Sequence, residues 1–526
     1  MAVRAPRAFL LVLLLAVVQL APWLARSELR HEEGRRATPA REMIERGDYV
    51  LPTVWGEPYL NKPPLVYWAV AVASAPLGAV TALSARLPAV LATLALLLAT
   101  LAFGRRLVGA RAALYAAAML AVAPLVLEKG RTAEIEPLFG LFAFLAVAAW
   151  WRGRAGSAAM TLGAGLALAA ALLAKGPPAL VFFLSAPLGL AVARRDASFV
   201  LSWRLCVPLL FGLALAAVWP WLVFQRMGAS ATVALWLSEL GARGATGLSG
   251  WLADRATFVA GALGGFLPAA LIVLLCARSA TWRALRGEEG ARLAFWAVAP
   301  AAVVFLLAPG ARARYAYPLL PWVALLAGRL VVALADGPAS APAGRRVRAA
   351  TGILALLALA AGGALVASAR WPLSGVSADG LGLALALALA VAARAAWRAA
   401  RAGRTAVALG SALAILLLLS QVQLSQVQRA AAARQDARER ASEIRAFVPE
   451  GRVLRVASRG EFNLLFHVGR ELRAAPELAS LSPGELLYAS DDFLARIESA
   501  APFAFEPLLA LEGRRGRRGL LLRVLR

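Results

Sequence analysis

Ionisable residues that could perform chemistry collect in one stretch, residues 27–65, directly after the first apolar segment. Glu32 and Glu33 are adjacent, Arg35 follows two positions later, and Lys62 precedes a Pro-Pro pair. Lysine and arginine side chains can hold a phosphate, because they donate charge-assisted hydrogen bonds to its oxygens. A carboxylate can accept the proton of a hydroxyl whose oxygen attacks an electrophile. The stretch therefore predicts a site that binds a phosphate and transfers a group to an acceptor oxygen.

Further ionisable residues are predicted at the same face of the molecule, next to apolar runs. They are Glu128, Lys129, Arg131, Glu134 and Glu136 in one segment, then Lys175 before Gly-Pro-Pro, and finally Arg312 and Arg314. Carboxylates so close to hydrocarbon are costly unless they are paired or functional. These residues therefore form a second part of the candidate site.

Several of these residues have a structural alternative. Glu32 or Glu33 could form a salt bridge with a neighbouring arginine, and Arg86 could be the buried partner of one carboxylate. Glu136 could stabilise the start of a helix through its negative charge, and Lys62 could extend toward lipid headgroups. The sequence leaves these alternatives open.

The composition indicates a membrane protein. Of its 526 residues 61% are hydrophobic and 16% are charged, which is too apolar for a soluble domain of this size. The net charge of +26 does not indicate nucleic-acid binding, because the arginines lie in short loops between apolar runs, as the positive-inside rule predicts. Two histidines in the whole chain disfavour a histidine-based zinc site.

The apolar runs predict an α-helical polytopic protein with about thirteen transmembrane helices. They fall at residues 8–25, 86–104, 110–127, 137–151, 157–174, 178–193, 205–224, 256–277, 292–308, 315–335, 349–369, 379–393 and 405–421. Residues 65–80 are interpreted as an interfacial helix, since a span there would place Arg105 and Arg106 outside. With a cytoplasmic N-terminus and an uncleaved first span, the site and the C-terminal tail lie on the outer face.

Two domains are predicted, a transmembrane domain at 1–425 and a small extracytoplasmic α/β domain at 426–526. The first includes the site loop, 26–82, and an outer loop at 225–255 in which Glu239 and Arg243 share one helix face. In the tail we expect helices at 426–446 and 491–500, and strands at 453–458, 505–513 and 519–526. The tail has no phosphate-binding loop or nucleophile motif, so it is assigned no chemistry.

Several motifs, taken in order, resemble the protein O-mannosyltransferase superfamily, and more closely its bacterial branch containing the lipid A aminoarabinose transferases. They are Glu32-Glu33-Gly34-Arg35, GDYVLP at 47–52, NKPPLVYW at 61–68, SARLP at 84–88, Glu136-Pro137, KGP at 175–177, RYAYPLLP at 314–321 and LLFHVGR at 464–470. Together these motifs are distributed along almost the whole chain.

The resemblance implies a C-class glycosyltransferase fold and assigns roles to residues. Glu32 matches the first acidic position of the family, Glu33 follows it, and Glu136 matches the second acidic motif, so these three are the predicted catalytic residues. Arg35 and Lys62 match residues that hold the donor phosphate, and the candidate list is completed by Lys129, Arg131 and Lys175. The family usually has Asp at positions 32 and 136 and an aromatic residue at 36. A glutamate places its carboxylate roughly 1.5 Å farther from the backbone than an aspartate does.

The resulting hypothesis is a multi-pass glycosyltransferase of the bacterial inner membrane. It would move a sugar, with inversion, from a polyprenyl (undecaprenyl) phosphate carrier to a lipid A, glycan or protein acceptor. No cofactor is required, although carboxylates could hold Mg²⁺ or Mn²⁺. The expected partners are the lipid-linked donor, the acceptor and membrane lipids, with no nucleic acid. The alternatives are a transporter of lipid-linked sugars or polysaccharides, and an inactive relative that acts as a scaffold.

Overall fold

The computed structural model describes residues 5–525, with gaps. The gaps are 23, 26, 235–246, 339, 372–375, 377, 433–434, 459, 476–479, 491–492, 494–504 and 513–517. The predicted pair of Glu239 and Arg243 lies outside the described residues, as does nearly all of the helix predicted at 491–500.

Helices make up most of the chain before the tail. They are α1 Ala5–Leu20, α2 Gly34–Arg46, α3 Leu65–Ser74, α4 Ala82–Leu107, α5 Ala110–Ala121, α6 Pro124–Lys129, α7 Glu136–Gly153, α8 Ala158–Lys175, α9 Pro178–Arg194, α10 Trp203–Met227, α11 Leu248–Gly265, α12 Ala269–Cys276, α13 Ala280–Leu285, α14 Glu289–Leu307, α15 Leu320–Asp336, α16 Pro342–Ser368, α17 Gly380–Arg401 and α18 Thr405–Val422. Each predicted span has a helical counterpart among them.

Eight helical segments of the described chain are long and apolar enough to cross a bilayer unaided. Helices α11 and α12 would form a ninth span, bent by 103° at the break between them. The other predicted spans correspond to shorter or more polar helices, so the total of thirteen stays a prediction. Helix α3, with 10 residues, is only about 15 Å long, too short to cross the hydrocarbon core.

Small residues allow the membrane helices to approach one another closely. A Cβ atom added at Gly328 of α15 would lie 2.2 Å from the carbonyl oxygen of Ala112 on α5. Close backbone contact of this kind is typical of helix packing in membranes, where van der Waals contact replaces the hydrophobic effect. Beside it, Phe103, Phe144 and Trp322 pack with ring centroids 4.9–5.9 Å apart.

One buried carboxylate orders part of the predicted site loop, 26–82. Glu42 on α2 accepts hydrogen bonds from the Thr53 hydroxyl and the Trp55 backbone N–H, both at 2.6 Å. These bonds fix a small hairpin, β1 Thr53–Val54 and β2 Glu57–Pro58, against α2. The loop is therefore a folded unit that can hold side chains in fixed positions.

The tail contains a five-stranded sheet in the order β4-β3-β5-β7-β6. Its elements are α19 Ala437–Phe447, β3 Leu454–Ala457, α20 Phe462–Val468, β4 Leu472–Ala474, β5 Leu486–Ser490, β6 Phe505–Glu512 and β7 Arg518–Val524. Strand β3 is parallel to β4 and β5, whereas β7 is antiparallel to β5 and β6.

Three of the tail's strands were predicted, and the rest of the tail differs from the prediction. Strands β3, β6 and β7 lie at the expected positions, but β4, β5 and α20 were not predicted. The helix expected at 426–446 is interrupted: a π-helical segment, Gln423–Val427, leads into Gln428–Ala432, and α19 starts at Ala437. The predicted domain boundary at 425 therefore falls inside a helical turn.

Helix α20 joins the tail to the site loop. The ring of Phe462 stacks on Trp55 with centroids 5.1 Å apart. Arg41 on α2 donates to the Phe466 carbonyl oxygen at 2.9 Å, and its guanidinium lies 4.6 Å from the centroid of the Phe466 ring. The tail and α2 therefore share a packed interface.

We predict that acid destabilises this interface through His467. Burial, together with the positive charges of Arg438 and Arg41, lowers the pKa of the imidazole to about 4. In the unfolded chain the imidazole has its ordinary pKa of about 6.5. The contribution of neutral His467 to the free energy of unfolding is therefore fully present above that pH. It falls as the pH drops toward 4, by at most about 1.4 kcal/mol per pH unit. The protection factors of tail amides in the full-length protein, which correct for the slower intrinsic exchange at lower pH, should therefore fall between pH 6.5 and 4.

A His467→Asn variant is the control, because it cannot titrate in this range. Its protection factors should depend less steeply on pH than those of the wild type. The same pH dependence in both proteins would contradict the assignment.

Candidate active site

The structure brings the two predicted groups of carboxylates together. The backbone N–H of Ala133, in the loop between α6 and α7, donates to Glu33 at 2.9 Å. Arg36 on α2 is buried, lies 3.8 Å from a Glu32 oxygen, and also interacts electrostatically with Glu134. The start of α2 and the loop before α7 therefore form the walls of one site, and we call this end of the helix bundle the site end.

Glu134 and Glu136 form the buried centre of the site. Lys129 lies 3.1 Å from Glu134, and Lys175 lies 3.1 Å from Glu136. Arg314 reaches both carboxylates, at 3.8 and 3.7 Å. Two buried carboxylates so close together repel each other, and the shared cations compensate for that repulsion.

Glu134 sits in the loop before α7, where burial raises its pKa. The neighbouring charge of Glu136 raises it further, whereas Lys129, Arg36 and Arg314 oppose the shift. A raised pKa on a carboxylate at a charged, buried site is common at functional sites. It favours a group that can exchange a proton or a hydrogen bond with a ligand.

Glu32 is the more accessible acid of its pair. Its side chain is 28% exposed and lies 3.4 Å from Arg35. The Arg35 guanidinium in turn lies 4.7 Å from the centroid of the Phe462 ring. Glu32 is therefore positioned by charge and still open to a substrate, as a carboxylate that accepts a proton must be.

Glu33 has different surroundings, which do not support its predicted catalytic role. Its side chain is fully buried and makes a two-pronged ion pair with Arg86, at 2.6 and 2.7 Å. It also accepts hydrogen bonds from the backbone N–H groups of Arg30 and Ala133. Both carboxylate oxygens are engaged, so the geometry gives Glu33 a structural role, with Arg86 as its buried partner.

Arg131 also differs from its predicted role as a phosphate ligand. It is buried and donates to the backbone carbonyl oxygens of Leu20 and Pro22 at the end of α1. Carbonyl groups at a helix end lack partners within the helix, and an arginine satisfies them well. The geometry therefore favours a role in anchoring α1.

Lys62 lies at the edge of the site. Its ammonium donates to the Asn61 carbonyl oxygen at 2.9 Å. The next residue, Pro63, packs over Gly176, where an added Cβ would be 3.9 Å from the proline ring. Because Gly176 follows Lys175, the loop that carries Lys62 borders the Lys175–Glu136 pair.

Glu134 and Arg314 were predicted to belong to the second part of the candidate site without individual roles, and Arg36 was given no role. Buried polar atoms without a hydrogen-bond partner in the described structure occur on Arg36, Glu134, Glu136 and Arg314. Such atoms are rare in native proteins, and water or a bound ligand can supply the missing partner. No sequence motif signals their burial, because it arises from packing between distant segments.

The site carries an excess of positive charge. Its cations are Arg35, Arg36, Lys129, Lys175 and Arg314, and its carboxylates are Glu32, Glu128, Glu134 and Glu136. Five cations against four carboxylates leave one formal positive charge, and Lys62 beside them adds a second. An anionic group such as a phosphate would balance this charge.

A divalent cation at the site stays a prediction. Within the described part of the chain, no three His, Cys, Asp or Glu side chains are grouped so that they could hold a metal ion. The buried carboxylates Glu134 and Glu136 already face lysine and arginine side chains. These residues do not fit a metal centre made of protein ligands alone.

We predict that Glu33 and Arg86 determine stability. Replacing either one, as in Glu33→Gln or Arg86→Met, leaves the other ion buried and unpaired, which typically costs about 3–5 kcal/mol. The yield of folded protein in detergent and its thermal midpoint should both fall. Asp336→Asn, which removes one partner of an exposed ion pair with Arg111, should change neither. A normal thermal midpoint for Glu33→Gln would contradict the structural role.

Two comparisons with known sequences match the chain in part. Residues 40–202 match the family model described as dolichyl-phosphate-mannose-protein mannosyltransferase. The undecaprenyl phosphate-alpha-4-amino-4-deoxy-L-arabinose arabinosyl transferase of Edwardsiella ictaluri (strain 93-146) is 30% identical over 193 residues. The match covers 36% of this chain and 35% of that protein, about a third of each.

Two solved structures match almost the whole chain. ArnT from Cupriavidus metallidurans, bound to undecaprenyl phosphate, gives a TM-score of 0.72 at 19% identity and covers 99% of this chain and 98% of its own. The apo state of the same protein gives a TM-score of 0.72 at 18% identity, with the same coverage.

These matches confirm the predicted fold class and the predicted resemblance. The chain is a multi-pass membrane protein with a small sheet-containing tail. It has the fold of the ArnT structures along nearly its whole length. Across residues 40–202 it carries the sequence signature of the dolichyl-phosphate-mannose-protein mannosyltransferase family.

Proposed function

We propose that this protein is a membrane glycosyltransferase. It moves a sugar, with inversion, from a polyprenyl phosphate carrier to a lipid A, glycan or protein acceptor. The observation that carries the proposal is the network of five cations and four carboxylates at the site end of the bundle, with Glu134 and Glu136 buried at its centre. The sequence relative, an undecaprenyl phosphate arabinosyl transferase, and the matching family, dolichyl-phosphate-mannose-protein mannosyltransferase, support a polyprenyl phosphate donor and leave the sugar open.

The excess positive charge suits the leaving group of this reaction. As the acceptor oxygen attacks the anomeric carbon, the bond from that carbon to the phosphate oxygen breaks, and its electron pair stays on the phosphate. Negative charge therefore grows on the carrier phosphate in the transition state. Preorganised cations stabilise such charge most where water is excluded. Lys62, Arg35 and Lys175 are the proposed phosphate ligands, with Lys129 behind them.

Glu32 is the proposed general base for a hydroxyl acceptor. It is the accessible carboxylate beside Arg35, and it would take the proton that the attacking hydroxyl loses. A phosphate acceptor is already anionic and needs no base, and Glu32 would then orient it. Glu136, paired with Lys175 and Arg314, holds these cations in place, and its unpartnered oxygen can accept a hydrogen bond from a sugar hydroxyl.

We place the protein in the bacterial inner membrane, with its N-terminus in the cytoplasm. Arg105, Arg106, Arg194 and Arg195 end helices at the bundle end opposite the site. Arginine-rich loops usually face the cytoplasm. The site and the tail then lie on the extracytoplasmic face, where a polyprenyl carrier holds its phosphate at headgroup depth.

We predict that Glu32→Gln and Lys175→Met each lower the transfer rate by about 100-fold or more. The first removes the base and the second removes a cation that compensates charge on the leaving phosphate. The measurement is incorporation of labelled sugar from undecaprenyl phosphate-linked donors into envelope lipids, glycans and proteins. Membranes that contain matched amounts of each variant supply the enzyme.

Asp336→Asn and Arg111→Met are the matched controls for these two substitutions. They alter an exposed ion pair at the opposite end of the bundle and should transfer sugar at the wild-type rate. If both Glu32→Gln and Lys175→Met retained full transfer activity, the proposed function of the site would be wrong.

A further inference from the structure

We propose that the tail domain completes the active site, with Asn463 and Phe462 of α20 as positioning residues for Glu32. The role assigned to Glu32 rests on the proposed function. The contact between the tail and the turn that carries Glu32 rests on the geometry alone, so the two can be tested separately.

The side-chain amide of Asn463 forms hydrogen bonds with the backbone on either side of Glu32 and Glu33. Its Oδ1 accepts a hydrogen bond from the Gly34 N–H at 2.9 Å, and its Nδ2 donates to the His31 carbonyl oxygen at 3.1 Å. The partners fix the orientation of the amide, because Gly34 offers a donor and His31 an acceptor. One side chain therefore holds the backbone on both sides of Glu32 and Glu33.

The backbone at this turn needs such support. His31 has φ = 51°, in the left-handed region that residues other than glycine rarely adopt. Gly34 leaves no room for a side chain, because an added Cβ would lie 2.7 Å from both Asn463 Oδ1 and the Phe462 carbonyl carbon. The first turn of α2 and the first turn of α20 are thus in direct contact, and the turn is held in an uncommon conformation.

Phe462 positions the side-chain partner of Glu32. Its ring stacks on Trp55 on one side and lies under the Arg35 guanidinium, 4.7 Å from the ring centroid. Arg35 in turn pairs with Glu32 at 3.4 Å. Neighbouring residues of the tail therefore fix both the backbone of Glu32 and the cation beside its carboxylate.

A second contact ties the other end of the same segment to the tail. The carboxylate of Glu28 accepts hydrogen bonds from the backbone N–H groups of Ala437 and Arg438, both at 3.1 Å. A carboxylate at the start of a helix satisfies donors that have no partner within the helix. Residues 28–34 are thus held at both ends by the tail, which makes α19 and α20 part of the site's framework.

The test combines hydrogen exchange with steady-state kinetics on the full-length protein in proteoliposomes. Asn463→Ala removes both hydrogen bonds, and Asn463→Asp keeps the acceptor but loses the donor. For both variants we expect faster exchange in the peptide that covers residues 31–36 and a kcat lowered by about tenfold, the effect of losing a hydrogen-bonded positioning contact. The KM for the polyprenyl phosphate donor should change less than kcat, because two of the three proposed phosphate ligands, Lys62 and Lys175, are on other segments.

Phe462→Leu is the second variant, in case the asparagine substitutions prevent folding. It keeps an apolar side chain but removes the ring under Arg35, and it should also lower kcat. Glu512→Gln, at an exposed position on β6, is the control and should match the wild type in exchange and kinetics.

The outcomes separate this inference from the proposed function. Unchanged exchange at residues 31–36, or unchanged kcat in a variant whose exchange is faster, would overturn the positioning role. If Glu32→Gln proved fully active, the proposed function of Glu32 would fail. The exchange data for Asn463→Ala would still report whether the tail holds the turn.

Discussion

The buried ion pair between Glu33 and Arg86 is the contact on which the rest of the site depends. Arg86 on α4 also donates to backbone carbonyl oxygens of Ser27 and Glu28, and Glu33 accepts from the N–H of Ala133. One pair of charges thus joins α4, the segment before α2 and the loop before α7. Burying two ions is costly, and it is tolerated here because the other polar contacts of both ions are satisfied.

This pair explains why two adjacent glutamates differ so strongly. Both glutamates lie in the turn just before α2, and with Glu33 held inward, Glu32 stays on the open side of the site, where its side chain is 28% exposed. There Glu32 meets Arg35 and Arg36, and through Arg36 it is linked to Glu134. The structural carboxylate of Glu33 therefore helps to position the accessible carboxylate of Glu32. Glu32 in turn completes a network of side chains that has a net positive charge.

The apolar runs were sufficient to predict where the membrane helices lie, because period and length depend on local sequence. Strand β5 was missed because all five of its residues are buried, which removes the alternation that identifies a strand. The roles of Glu134 and Arg314 could not be predicted, since their pairing joins segments about 180 residues apart in sequence. Asn463 gave no signal at all: it is one of two polar residues, with His467, in a short apolar helix, and its role depends on a contact with Gly34.

The most direct measurement is a structure of the protein with undecaprenyl phosphate bound, determined by cryo-electron microscopy in a lipid nanodisc. We expect the phosphate to lie within hydrogen-bond distance, about 3.2 Å, of Lys62, Arg35 or Lys175. We also expect the polyprenyl chain to run from there along the membrane helices. A phosphate bound at the opposite end of the bundle, or away from all three cations, would contradict the proposed site.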